Sequence, residues 1–213
     1  MIGSSSGVVR RWLAGVTVLT LAGCASLIVA TPPGHLYRLS ADSTYPATLP
    51  RVAAQLLVDL PQAPAGIDTT RIALSNSPLS LDYYADSEWT DRVPALVQTA
   101  LLASFENSNA ITAIDRESIG LRADFVLKTE IRHFEAVGGG GGAPPTVWVA
   151  MIARLVAMPQ REIIAQASFE RRVPAAADEV PTVVAAFNAA ADAVIKDIVV
   201  WTVTNPALIR KRR

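Results

Sequence analysis

Phe125-Val126-Leu127-Lys128-Thr129-Glu130-Ile131-Arg132-His133 is the stretch that decides the fold of this chain. Phe125, Leu127, Thr129, Ile131 and His133 fall at every second position, with Lys128, Glu130 and Arg132 between them. Successive side chains of a strand point to opposite faces, so the alternation predicts a half-buried strand beginning near Ala123. The Gly- and Pro-rich stretch 138–145 follows as a loose connection, and 147–158 reads as a second long strand. Pro159-Gln160 turns the chain into a third, 163–173. Three strands joined by short links predict an antiparallel meander.

On both sides of the meander the apolar period lengthens to three and four. Downstream, Val183, Phe187, Ala191, Val194, Ile195, Ile198 and Trp201 mark one face of a helix over 178–202, closed by Asn205-Pro206. Upstream, Trp89, Val93, Leu96, Val97, Ala100, Leu101 and Phe105 predict a helix over 89–105, with Ser87 or Thr90 as its cap and Asn107-Ser108-Asn109 as its stop. Pro94 falls early enough in that helix to cost little hydrogen bonding. Short strands are expected at His35-Leu36-Tyr37-Arg38-Leu39, at 53–60, at 70–75, at Leu81-Asp82-Tyr83-Tyr84 and at 111–114. Strands, helix, meander and helix, with both helices needing cover, predict an α+β fold. It is a two-layer single domain, a mainly antiparallel sheet with two helices packed on one face.

The N-terminus reads differently. Arg10-Arg11 precede an uncharged apolar run that leads to Leu21-Ala22-Gly23-Cys24, and Cys24 is the only cysteine of the chain. A basic start, an apolar stretch and a small-residue cut site form an export signal. The triplet before Cys24 resembles the lipobox of bacterial lipoproteins, in which the thiol receives a diacylglycerol and the chain is cut before it. Small residues at Ala22 and Gly23 suit a peptidase pocket, and a thiol supplies the nucleophile to be acylated. The uncharged run from Trp12 to Ala30 is also long enough to cross a bilayer, so an uncleaved N-terminal anchor is the competing reading. Residues 1–23 are expected to be a signal peptide, 24–35 a lipidated tether, 36–203 the folded domain and 204–213 a basic tail.

Composition narrows the function classes. Without residues 1–23 the chain keeps 190 residues, enough for one sizeable core, with 17 basic against 19 acidic side chains. No basic excess points to nucleic acid, and no second cysteine exists to build a disulfide framework. The local cluster Arg210-Lys211-Arg212-Arg213 suits a solvated tail or a contact with anionic headgroups. Of the two histidines, His35 lies at the tether and His133 on an alternating strand, and neither belongs to a metal-ligand spacing. The glycine run 138–142 lacks the Lys-Ser/Thr of a phosphate-binding loop, and Pro144-Pro145 stand where its helix would begin. No nucleophile-and-base arrangement is legible, so no enzyme, cofactor or metal is expected. Tyr83, Tyr84 and Trp89 are candidates for a partner-binding patch, against the plainer role of core packing. Trp148, Met151, Ile152 and Met158 are weaker candidates for a surface that receives acyl chains.

Several short motifs, taken in order, resemble a known family. They are Tyr37-x-Leu39, Arg71-Ile72-Ala73, the spacing from Tyr83-Tyr84 to Trp89, and Ala123-Asp124-Phe125-Val126-Leu127 continuing to Phe134-Glu135-Ala136. Phe169 with Val173-Pro174-Ala175 and the Ala-rich closing helix ending at Trp201 complete the pattern. The chain resembles the ABC-type transport auxiliary lipoproteins of the PqiC-like group over roughly 36–203; the five-glycine run departs from their pattern. The resemblance implies a periplasmic lipoprotein working beside an MCE-domain protein, a permease and an ATPase, in a system that moves phospholipid or other apolar molecules between membranes. Ala25 and Ser26 lack the Asp that retains enterobacterial lipoproteins in the inner membrane, so by similarity the outer membrane is favoured. Oligomeric state is left open, a homo-oligomer included. The alternative is a general envelope assembly lipoprotein that binds an outer-membrane machine.

Overall fold

The computed structural model describes residues 34–41, 44–120, 122–139 and 143–210, and these form eight strands and three helices. In chain order they are β1 (His35–Tyr37), β2 (Val52–Val58), β3 (Arg71–Ser75), β4 (Asp82–Trp89), α1 (Val93–Ser108) and β5 (Ile111–Arg116). Then come β6 (Phe125–Val137), β7 (Thr146–Ala157), β8 (Glu162–Pro174), α2 (Val180–Val203) and α3 (Pro206–Arg210). A single 3-10 turn, Glu117–Ile119, follows β5. The fold is α+β, with a mixed sheet curled as a half-barrel.

β6 is the centre of the sheet. β7 pairs antiparallel along one edge of it from Phe125↔Ala157 to Val137↔Thr146, and β8 pairs antiparallel with β7 beyond. The other edge of β6 is shared by two strands. β2 runs parallel to its first residues, Leu56↔Phe125 to Val58↔Leu127, and β3 runs parallel to its last two, Leu74↔Ala136 and Ser75↔Val137. β5 extends the sheet from β2, while β4 pairs with β3 and carries β1 on its far side. The meander is antiparallel as its short links require, and these are the longest ladders. The remaining contacts are mostly parallel, because β2 and β3 reach their partners only through long crossovers that include α1.

All three helices belong to one apolar core with the inner sheet face. α2 lies against β7 and β8, α1 against β2, β5 and α2, and α3 against β2. The inner rows are Val147, Val149, Met151, Ala153 and Leu155 of β7, with Leu127, Ile131, Phe134 and Ala136 of β6. Each large side chain fully removed from water here contributes about 1.5–3 kcal/mol relative to leaving it exposed.

Three expectations are corrected. The first helix starts at Val93, not Trp89. Proline is tolerated only in the first turn of a helix, so Pro94 fixes the start beside itself. Ser87 is therefore a residue of β4 rather than a cap, and the Val93 amide is satisfied by Thr69 O at 3.2 Å. Second, the β6–β7 register slips between Ile131 and His133, leaving Arg132 as an extra residue. A bulge of one residue exchanges the faces beyond it. His133 thus leaves the face of Ile131, and Phe134 enters the core at 1% exposure. Third, a helix lies within the stretch 204–213 expected as a basic tail. It is α3, and its Leu208 is 1% exposed against the core. Cys24, most of the expected tether, Gly140 to Gly142 and residues 211–213 lie outside the described residues.

Candidate functional site

The aromatic residues singled out for a partner patch do not share a surface. Trp89, the last residue of β4, is 1% exposed. Its ring stands edge-on to Phe134 at 5.9 Å and to Phe187 at 5.4 Å between centroids, so it is a centrepiece of the core. Tyr83 is half-buried; its hydroxyl donates to Gly66 O at 3.0 Å, and the Arg71 guanidinium lies 3.7 Å above the ring. Tyr84 is half-buried with its hydroxyl shielded and unpartnered. Burial, with the negative charge of Asp178, pushes that phenol up to about 12, so it stays protonated at neutral pH.

The four apolar residues proposed for acyl chains are likewise divided. Met151 belongs to the inner face at 2% exposure, whereas Trp148 and Ile152 lie on the opposite face of the same strand. Met158 packs with Leu57, Val126 and Val156, a small cluster apart from the main core.

The outer face of the meander instead carries a cross-strand polar and aromatic array. Glu135, Trp148 and Arg172 are neighbours on β6, β7 and β8. His133 stacks on the Trp148 ring with 3.3 Å between centroids and 12° between planes, and the Arg172 guanidinium lies 4.0 Å from the same ring. Glu135 Oε1 is 2.7 Å from His133 Nδ1, and its Oε2 accepts the Phe134 amide at 3.1 Å. Beside this array, Glu130 accepts from Arg132 and Arg154 at 2.9 and 3.1 Å, and Arg154 Nε donates to Gln166 at 2.8 Å. These pairs depend on strand register and on the bulge at Arg132. In the sequence only the alternation of charge marked this face.

At the other end of β6, Lys128 Nζ lies 2.6 Å from Asp59 and 3.6 Å from Glu117. Burial pulls Asp59 upward, but the hydrogen bond from Lys128, with others from Glu117 and the Leu60 amide, outweighs it and holds Asp59 below its ordinary value. Burial and the neighbouring Asp59 raise Glu117. Burial opposes the Lys128 charge, yet its hydrogen bond to Asp59 raises it. Near the C-terminal end of α1, a cleft of about 690 Å³ opens beside β2 and β5, lined by Phe105, Ile111, Ile114, Leu57 and Arg122 among others. His35 sits in β1 with its ring 6.5 Å from Tyr37. Gly138 and Gly139 take φ of +74° and +93° at the end of β6, and β7, not a helix, comes next. Among the described residues no helix is long and apolar enough to cross a membrane.

Comparison with known proteins gives this arrangement a context. The family model described as ABC-type transport auxiliary lipoprotein component matches residues 37–199. A protein of Bradyrhizobium diazoefficiens is 32% identical over 158 residues, which is 71% of this chain and 40% of that relative's length. The chain therefore spans about two fifths of the curated relative it matches. A crystal structure of a DUF330 family protein from Xanthomonas campestris superposes with a TM-score of 0.74 at 27% identity, covering 79% of this chain and 94% of that one. A second crystal structure reaches a TM-score of 0.58 at 14% identity over 78% of this chain and 95% of the other, a likeness of fold alone. The family match runs from the last residue of β1 to within four residues of the end of α2, so it takes in both layers of the domain; the chain belongs to the ABC-type transport auxiliary lipoprotein components.

Proposed function

We propose that this protein is a lipid-anchored, non-enzymatic auxiliary component of an ABC-type transport system built around an MCE-domain protein, with its permease and ATPase, and that the cargo is phospholipid or a similar apolar molecule. The anchor is Cys24, whose thiol takes a diacylglycerol before residues 1–23 are cut away, and the favoured location is the periplasmic leaflet of the outer membrane. One observation carries the reading: the family match covers most of the folded core, and Leu21-Ala22-Gly23-Cys24 stands only ten residues before the first described residue, Gly34. Fatty chains contribute about 0.8 kcal/mol per buried methylene, so several chains make the attachment effectively permanent. A body fixed in this way positions or bridges a complex and does not ferry lipid through water.

The test uses the full chain in a two-membraned bacterium supplied with labelled palmitate. The wild type should incorporate label, lose residues 1–23 and sediment with the outer membrane; Cys24→Ala should do none of these. Crosslinking followed by mass spectrometry should capture an MCE-domain protein. Recovery of an unlabelled chain that retains residues 1–23 would refute the anchor. Capture of outer-membrane assembly proteins alone would transfer the chain to the envelope-assembly reading.

A further inference from the structure

Among the described residues the most exposed large apolar side chain is Leu79, at 98%, on the β3–β4 hairpin. Its turn is Ser77-Pro78-Leu79-Ser80, closed by the Ser80 amide on Ser77 O at 3.1 Å. Pro78 presets the backbone at the turn's second position. Ser75 Oγ lies 2.8 Å from Ser77 O and 3.0 Å from Ser80 O, its hydroxyl serving both, and Ser77 Oγ is 3.0 Å from Ser80 Oγ. The three serines of the loop thus bond within it while the leucine faces out. That division suits a medium poor in water, where unsatisfied backbone groups are costly.

The surroundings of the tip share its character. Ser75 pairs with Val137, which pairs with Thr146, so the β3–β4 loop, the end of β6 and the start of β7 share one end of the sheet. Residues 75–81 and 136–147 contain no Asp, Glu, Lys or Arg. Val137 adds 36% exposure and Leu81 40%. Charge returns at Asp82 and at Asp178, the latter beside Gly139, which limits the apolar cap to the depth of a loop. The opposite end of β6 is lined by Asp59, Glu117, Arg122, Asp124, Arg161 and Glu162 instead.

The direction of β1 bears on the anchor. β1 is parallel to β4, and β4 begins at the capped end, so His35 is the residue of β1 nearest that end. Leu36 faces Glu88, which pairs with Arg71, and the four steps from Arg71 to Ser75 rise about 13 Å. The ten residues from Cys24 to Gly34 reach about 33–36 Å when extended. That length is ample for the tip to meet the bilayer that holds Cys24.

We propose that the β3–β4 tip, led by Leu79, enters the lipid surface that carries the anchor and sets that end of the domain against the membrane. This rests on acylation of Cys24 as read above.

The experiment uses the full lipidated chain reconstituted in vesicles of phosphatidylethanolamine and phosphatidylglycerol. Acylated Cys24 leaves no native thiol, so an environment-sensitive label attaches only at an introduced cysteine: Asn76→Cys beside the tip, or Glu162→Cys at the opposite end. Spin-labelled lipid should quench the first label and spare the second. Adding Leu79→Ser should lower the lipid-quenched population at position 76 by roughly ten-fold or more, the partition of one leucine side chain. A chain that floats with the vesicles while its tip label stays in water overturns the proposal and leaves the anchor standing. A label shielded from water but untouched by spin-labelled lipid shows a protein pocket as the occupant and overturns it equally. A chain that does not float removes anchor and proposal together.

Discussion

Truncating Trp89 to alanine should be among the most damaging single changes in the domain. The indole is 1% exposed and stands edge-on to both Phe134 and Phe187, which themselves lie 5.1 Å apart. Removing a buried Trp or Phe side chain costs about 3–5 kcal/mol through lost transfer energy and the cavity left behind. Each aromatic contact is worth about 0.5–1.5 kcal/mol beyond burial. One effect runs the other way. Trp89 Nε1 is buried without a hydrogen-bond partner, and such a group costs about 1–3 kcal/mol, which the truncation relieves. The balance is a loss of about 3–4 kcal/mol for Trp89→Ala. At about 2–4 °C per kcal/mol for a domain of this size, the melting temperature should fall by roughly 10 °C. Trp89→Phe keeps a ring against both partners and discards the orphaned N–H, so it should cost about 1 kcal/mol or less. Urea titration of both variants, with unchanged slopes, reads the differences directly. A loss below about 1 kcal/mol for the alanine variant would contradict the core assignment. Equal losses for Ala and Phe would contradict the account of the unpartnered N–H.

Leu208→Ala should cost about 2–4 kcal/mol in the same titration although it lies near the end of the chain, because α3 carries that side chain into the core. An unchanged midpoint would mean that α3 does not support the fold. The Asp59–Lys128–Glu117 cluster makes stability depend on acid in two opposite ways. Glu117 is raised when folded, so its contribution is full in acid and is lost as pH rises through that raised value. Glu117→Gln should therefore gain stability over the wild type at neutral pH, the gain fading as pH falls through the raised value and gone below about pH 4.5. Asp59 is lowered when folded, so Asp59→Asn should lose stability above the ordinary value of 3.8, the deficit closing as pH falls through the depressed value. Stability curves for the three proteins across this range check both signs, and a gain of stability by Asp59→Asn at neutral pH would refute the pairing with Lys128.

Part of the candidate site was readable in advance and part was not. The alternation of Lys128, Glu130 and Arg132 announced a solvent-facing row, and those side chains do form ion pairs there. The stack of His133, Trp148 and Arg172 was hidden, since its members come from three strands and meet only through register. Trp89 misled for a related reason. Its spacing to Val93, Leu96 and Val97 fits a helix, yet that periodicity registers only which residues are apolar. The amide of Trp89 bonds to Thr70 O at 2.7 Å, which makes it strand.

From order and spacing alone came the α+β class, the meander, both long helices and the signal-like stretch before Cys24, while the family came from resemblance of motifs. Local rules set these: side-chain period, proline's missing donor, and the charge pattern of an export segment. Tertiary structure decided the rest. It placed β2 and β3 one after the other along one edge of β6, turned His133 outward through a single extra residue, seated Leu208 in the core, and set the β3–β4 tip beside the end of β6. Those outcomes depend on contacts between residues far apart in the chain, where competition for buried volume and strand edges selects one register among several that local sequence permits equally.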